Sequence, residues 1–300
     1  AVQDCLDAIA LTPKELSNYT NRLLFMLADP DADAASLSRA ARDFGIEFEQ
    51  LLKPQWPDFA EHRGNPWRKL RIGFLSPDFR VHSVMYFVEG LLAQLDRRQF
   101  EVFAFYLFPR DDHVTARVQL HADHFVRLAG LSAEDQAQAI RTQDIDILID
   151  LAGHTGHNGL MAMAHKAAPV QVSWLGFLAT TGLTAVDYKF TDEITDPPDA
   201  DAQYTEQLYR LPTFFACYRP MSRNPLWRYQ PRYVVRPTPA LENGFVTFGS
   251  CNNLGKLTDE VLGLWGRVLE AAPNSRLLIE GKGMERPDFA NAYRQRCQGL

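Results

Sequence analysis

Asp78, Arg80 and His82 stand together in one short polar stretch between Ser76 and Ser83. A neutral histidine near pH 7 is the usual general base, and a neighbouring carboxylate can orient it. A second set lies in Asp150-Leu151-Ala152-Gly153-His154-Thr155-Gly156-His157. Both sets also read as ordinary turns: Asp78 near a helix N-terminus, and His154 and His157 as loop residues bonding backbone in a glycine-rich turn. Zinc competes for the histidines, but no HExxH and no Cys/His spacing supports it. Lys256 follows Cys251-Asn252-Asn253-Leu254-Gly255 and precedes Thr258. A lysine beside a helix N-terminus is a ready anion site, with a phosphate-bearing ligand as the natural candidate.

The elements that position these residues alternate. Leu70–Ser76 reads as a strand that stops at Pro77, which lacks a backbone donor. The apolar run from Val84 to Leu95 has helical spacing. Further strands are predicted at 101–108, 125–128, 145–150, 170–174, 188–191 and 208–211. Helices are predicted at 115–122, from Ser132 to 142, and at 159–166. Such alternation predicts a parallel, doubly wound sheet, in which ligands bind at the carboxyl ends of strands. If the sheet is parallel, Asp78, His82, Asp150 and His154 share one edge.

Residues 1–63 read as helical. Thr12-Pro13 is read as a cap with proline at the first helical position, and a second helix runs from 35 to 52. Pro54, Pro57, Gly64 and Pro66 mark a linker. A proline-rich stretch, 219–244, separates a new strand at 245–250, a helix at 259–271 capped by Thr258, and a strand at 276–279. Three parts are therefore expected: 1–66, 67–240 and 241–300. The last reads as the opening of a second nucleotide-type domain. The chain starts without Met and ends in a helix-like stretch, so both ends read as cut, and residues 1–300 alone are not expected to catalyse a reaction.

Composition narrows the class. A net charge of −6 argues against a nucleic-acid surface. Apolar content of 46% with 23% charged residues is that of a soluble globular protein. No apolar run approaches a membrane span, and the N-terminus has no signal-like leader. The 4 cysteines form no CxxC pair, which points to free thiols in a reducing cytoplasm. Asp144-Ile145-Asp146 and Asp199-Ala200-Asp201 match the Asp-x-Asp pattern of metal-dependent sugar-nucleotide transferases. The first is expected to face solvent at the start of a strand, and the second lies in a proline-rich turn. Gly281-Lys282-Gly283 lacks the rest of a dinucleotide fingerprint.

Taken in order, Ser76-Pro77-Asp78-Phe79-x-x-His82, Val172-x-Trp174-Leu175-Gly176 with Thr180-Thr181-Gly182, Asp187-Tyr188 with Thr191-Asp192, Gln203-Tyr204-x-Glu206, Leu211-Pro212 and Phe248-Gly249-x-x-Asn252-Asn253-x-x-Lys256 resemble the O-linked N-acetylglucosamine transferase family, including its SPINDLY-like branch. The resemblance covers most of 68–280. It implies a GT-B-like α/β fold of two Rossmann-like lobes, the second incomplete in this chain, joined by a helical segment to upstream tetratricopeptide-like repeats. It implies His82 as general base, with Asp78 also considered for that role. Leu175 and Gly176 would line the sugar site, where His154 is also placed among substrate-binding candidates. Lys256 would contact the diphosphate and Asn253 the nucleotide. Where Asn21 stands, animal members carry a histidine near the sugar, so a sugar-binding role for the N-terminal helices is not carried over. The implied activity is inverting transfer of N-acetylglucosamine from UDP-GlcNAc to protein Ser/Thr hydroxyls, in the cytoplasm, without metal or other cofactor. The partners implied are a nucleotide sugar and a protein acceptor, with no nucleic acid and no membrane. GDP-fucose as donor, or a non-catalytic protein-binding scaffold, are the alternatives.

Overall fold

A computed structural model describes residues 1–60, 67–219 and 236–300. They fall into two compact units, Ala1–Met221 and Ser222–Leu300. Three helices open the first unit: α1 (Val2–Leu11), α2 (Leu16–Met26) and α3 (Ala34–Glu49). The rest of the unit alternates β1 (Leu70–Ser76), α4 (Met85–Gln94), β2 (Phe100–Tyr106), α5 (His113–His121), β3 (His124–Arg127), α6 (Ala133–Arg141), β4 (Ile147–Asp150), α7 (Leu160–Ala164), β5 (Val170–Ser173), β6 (Tyr188–Asp192) and β7 (Gln207–Leu211).

The seven strands form one sheet in the order β3-β2-β1-β4-β5-β6-β7, parallel throughout. Its apolar strands are covered on both faces, as a parallel sheet requires. On one face Leu75, Phe103, Phe105 and Leu148 pack with Tyr19 of α2, Phe44 of α3, Ile140 of α6 and Leu160 of α7. On the other face Phe74, Val102, Tyr106 and Ile149 pack with Met85, Val88 and Leu92 of α4 and Val114 and Val118 of α5. The N-terminal helices, expected as a separate joining segment, are thus part of the core of this unit. The chain runs outward from β1 to β3 and then returns to β4 on the other side of β1. The strand order reverses between β1 and β4, which is where doubly wound sheets bind ligands.

The N-terminal caps need one correction. α1 lies inside the stretch read as helical, and Thr12 ends it rather than starting the next helix. Its amide and its hydroxyl both donate to the Ala8 carbonyl, at 2.8 and 2.9 Å. Pro13 has no N–H to continue the helix, and a threonine hydroxyl competes well for the carbonyl four residues back. Glu15 caps α2 instead, accepting the Ser17 amide at 3.3 Å. Elsewhere the caps follow side-chain chemistry. Ser132 caps α6 as expected, and Asp112 closes a capping box on α5.

The second unit holds α8 (Pro239–Asn243), β8 (Val246–Ser250), α9 (Asp259–Ala271), β9 (Ser275–Ile279) and α10 (Pro287–Gln298). β8 and β9 pair in parallel, and Thr258 caps α9. A small core gathers Leu257, Leu262 and Tyr293. Of the two linkers expected from the sequence, Gly64, Pro66, Pro220, Pro225 and Pro231 lie outside the described residues. Among the described residues no helix is long and apolar enough to cross a membrane.

Candidate active site

β1 and β4 are neighbours in register, with Leu75 opposite Asp150. The polar stretches after them therefore leave the sheet at one edge. Asp78 is buried in the first of these loops. Its amide donates to Ser76 Oγ at 2.9 Å, folding the loop back on the strand end. Arg80 Nη2 donates to Asp78 Oδ1 at 3.2 Å, and His82 Nδ1 lies 3.4 Å from Oδ2. Burial pushes the Asp78 carboxyl above the usual carboxylate range, while His82 and Arg80 pull it back. His82 Nδ1 also accepts the Val84 amide at 3.4 Å, so the ring is held between that amide and the carboxylate. The imidazole side chain keeps 36% exposure, against 6% for Asp78. The pair is thus a buried acid orienting a histidine that reaches open space.

Asp150 is fully buried at the end of β4. It accepts the Ala152 amide at 3.2 Å and the Gly153 amide at 2.7 Å, which shapes the next turn. Burial dominates and pushes its carboxyl up to about 6, against the pull of these amides and of Lys189. Leu175 and Gly176 follow β5. Leu175 adopts φ 76°, and a Cβ on Gly176 would lie 2.1 Å from the Leu151 carbonyl oxygen. Gly176 thus lets this loop close against the one after β4. Asp78, His82, Asp150, Leu175 and Gly176 occur at the ends of three adjacent strands.

His154 is placed differently from the others. It is fully buried, with its ring edge-on to Phe44 and Phe177 at centroid distances of 4.7 and 5.1 Å. Nε2 donates to the Thr181 carbonyl at 2.8 Å. The ring supports the two loops from within the fold and does not present itself at an open surface. Burial lowers its pKa to about 4. A depressed histidine stabilises the fold above its unfolded pKa of 6.5, and that contribution is lost as pH falls through about 4. Asp150 works in the opposite sense, since its raised carboxyl costs least below its ordinary value of 3.8. His154→Phe should therefore shrink the loss of unfolding free energy between pH 7 and pH 4.5 by about 2 kcal/mol relative to wild type. Parallel pH dependences for the two proteins, from denaturant unfolding, would exclude this account.

His157 is exposed, adopts φ 58° and packs edge-on against Phe108. The Asp-x-Asp pairs are engaged elsewhere. Asp144 is exposed as expected, but Asp146 is not. It is held by Arg68 through two bonds of 2.5 and 2.7 Å, because its side chain turns in beneath the start of β1. Asp201 is bound by Arg210 at 2.6 Å. Among the described residues no group of three or more His, Cys, Asp or Glu could hold a metal ion.

Several supporting residues were given no site role from the sequence, although Glu206 stands in the Gln203-Tyr204-x-Glu206 motif. Glu206 accepts Thr180 Oγ1 at 2.6 Å and the Thr181 amide at 2.7 Å, anchoring the loop after β5. Glu49 of α3 accepts the amides of Thr184 and Ala185 at 2.9 and 2.7 Å. Lys189 is buried inside β6. A lysine within a strand covered on both faces is a further legible signal among these. Asn21, on α2, is exposed. In the second unit Asn253 Oδ1 accepts the Gly255 amide at 3.0 Å, and Lys256 closes that short turn with an exposed side chain. Among the described residues the Lys256 ammonium makes no ion pair.

Residues 22–222 match the family model described as Glycosyl transferase family 41. The chain belongs to glycosyl transferase family 41. Family members it resembles include the probable UDP-N-acetylglucosamine–peptide N-acetylglucosaminyltransferase SPINDLY of Arabidopsis thaliana, 40% identical over 95% of this chain and 30% of the relative. The Arabidopsis protein named SEC, with the same enzyme description, is 33% identical over 82% of this chain and 25% of its own. Among solved structures, a mutant O-GlcNAc transferase of Thermobaculum terrenum matches with a TM-score of 0.87 at 30% identity. That match covers 99% of this chain and 55% of the other. The likeness bears out the α/β, GT-B-like class expected from the sequence. This chain spans under a third of the length of its SPINDLY relatives.

Proposed function

We propose that the chain carries part of an inverting glycosyltransferase that moves N-acetylglucosamine from UDP-GlcNAc to serine or threonine hydroxyls of proteins. The observation that carries this reading is the Asp78–His82 pair at the point where the strand order reverses. In the reaction, the acceptor oxygen attacks the anomeric carbon from the face opposite UDP. Its proton passes to the His82 imidazole, and Asp78 steadies the imidazolium. The bond from the anomeric carbon to the diphosphate oxygen breaks, and UDP leaves with the electron pair. In the second unit Lys256, beside the capped start of α9, is assigned the diphosphate and its developing charge. Asn253 is assigned to the nucleotide. Leu175 and Gly176 are assigned to the sugar. No metal takes part in this reading, which the engagement of Asp146 and Asp201 by arginines supports. GDP-fucose remains the alternative donor.

The test is equilibrium binding and turnover in the full-length enzyme with UDP-GlcNAc and GDP-fucose, with and without EDTA. Transfer from UDP-GlcNAc that EDTA leaves unchanged is the expected result. A preference for GDP-fucose would reassign the donor, and a strict Mg²⁺ or Mn²⁺ requirement would sink the metal-free mechanism. Lys256→Met keeps much of the side-chain length without the charge. It should weaken UDP binding about tenfold or more and slow turnover at saturating donor. Uridine, which has no phosphate, should bind the variant as it binds wild type. Equal losses for UDP and uridine, or no loss for either, would place the diphosphate elsewhere.

A further inference from the structure

The row of residues that crosses the sheet at the end of β4 holds two charged side chains, Asp150 and Lys189. Register sets Asp150 of β4 against Ser173 of β5, and Ser173 against Lys189 of β6. Laterally paired residues of parallel strands project from the same face. Strand spacing puts the Asp150 and Lys189 backbones roughly 10 Å apart. All three are buried, with 0%, 2% and 4% exposure for Asp150, Ser173 and Lys189. A buried ammonium is costly, and an apolar residue of the same length would fill this place more cheaply. What Lys189 adds is a donor and a charge. Nζ donates to the Phe177 carbonyl at 2.8 Å and lies 6.0 Å from the centre of the Tyr204 ring. Its charge is felt by Glu206, Asp196 and Asp150.

These contacts connect two loops. Asp150 holds the amides of Ala152 and Gly153 after β4. Lys189 holds the carbonyl of Phe177 after β5. Between them there is no slack. A Cβ on Gly153 would lie 2.3 Å from Phe177 Cβ, and one on Gly176 would meet the Leu151 carbonyl. Displacing either loop displaces the other.

We propose that Lys189 is a positioning residue for the sugar half of the donor, acting through the Phe177 carbonyl to hold Leu175 and Gly176 at the site's edge. This rests on the reading above that the edge takes a nucleotide sugar. The residue touches neither substrate nor reacting atoms.

The experiment compares wild type, Lys189→Met and the doubly neutral Lys189→Met/Asp150→Asn in the full-length enzyme. Lys189→Met should lower kcat/KM for UDP-GlcNAc about tenfold or more while leaving the Kd of UDP within about twofold. Amide hydrogen exchange should speed up about tenfold or more in residues 151–153 and 175–178 together, with the rest of the sheet keeping its protection. The double variant removes the uncompensated carboxylate and should recover thermal stability. It should not recover protection at 175–178, because the Phe177 carbonyl still lacks its donor. Wild-type exchange in both loops of a folded Lys189→Met protein would overturn the proposal. So would UDP affinity that falls in step with UDP-GlcNAc efficiency. Failure of both variants to fold would overturn it too, since Lys189 would then hold the sheet and not the loops. Exchange is read without turnover. An enzyme that transfers no N-acetylglucosamine would therefore refute the donor assignment and leave the exchange data to decide on Lys189.

Discussion

His82→Ala should lower turnover about a hundredfold or more, the range expected for loss of a positioned general base. The imidazole is half-buried in a loop, so its removal takes little packing with it. Its bond partners also limit the damage to the fold. Asp78 keeps Arg80 at 3.2 Å and its own amide bond to Ser76, so the carboxylate is not left alone when the ring is gone. The expected pattern is a large fall in kcat, with UDP affinity and thermal stability near wild type. Asp78→Asn should fall less, since it orients the base and does not take the proton. A folded His82→Ala enzyme with wild-type turnover would remove His82 from the mechanism.

Gly182→Ala should give the largest loss of stability of any single methyl added to the first unit. Gly182 adopts φ 79°, where a side chain is strained, and its Cβ would lie 1.8 Å from the Ala41 carbonyl oxygen. The neighbour is helix backbone, which cannot turn aside as a flexible side chain would. A Cβ on Gly45 would likewise come within 2.0 Å of the Gly182 carbonyl oxygen, so α3 and this loop touch backbone to backbone. Strain and overpacking together should cost about 3 kcal/mol or more. For a unit of this size that is a fall in Tm of roughly 6–12 °C. Gly156→Ala is the control, because nothing lies within 4 Å of the Cβ it would add. The loss should extend to activity, because Thr181 beside Gly182 receives the His154 bond and is anchored by Glu206. Equal melting temperatures for the two variants would show that α3 can move away from the loop at no cost.

The sheet was legible because its strands are near-continuous apolar runs ended by proline or polar loops. Leu70–Ser76, stopped by Pro77, is an example. That legibility extends to the site, since parallel strands deliver successive loops to one edge whatever the side chains do. The end of the first helix was not legible, because Thr12-Pro13 looks like a helix start when it is a helix stop. His154 illustrates a second limit. Its position in the chain points to the site edge, but the ring's direction is decided by Phe44 of α3 and Phe177, far away in sequence. Asp146 is a third case. Alternation predicts solvent for it, and Arg68, almost eighty residues earlier, draws it inward. Such pairings depend on tertiary contacts that no local pattern carries.

Asp112 closes the capping box of α5 and also accepts the Val81 amide at 2.6 Å. One carboxylate therefore fastens both the start of a helix and the loop that bears His82. Opening of the histidine loop costs the Val81–Asp112 bond, and unwinding the first turn of α5 frees the carboxylate that holds that bond. Insertions between Pro77 and Val84 are correspondingly constrained: a longer loop must still bring one amide to Asp112, or give up the cooperativity that keeps His82 in place between turnovers.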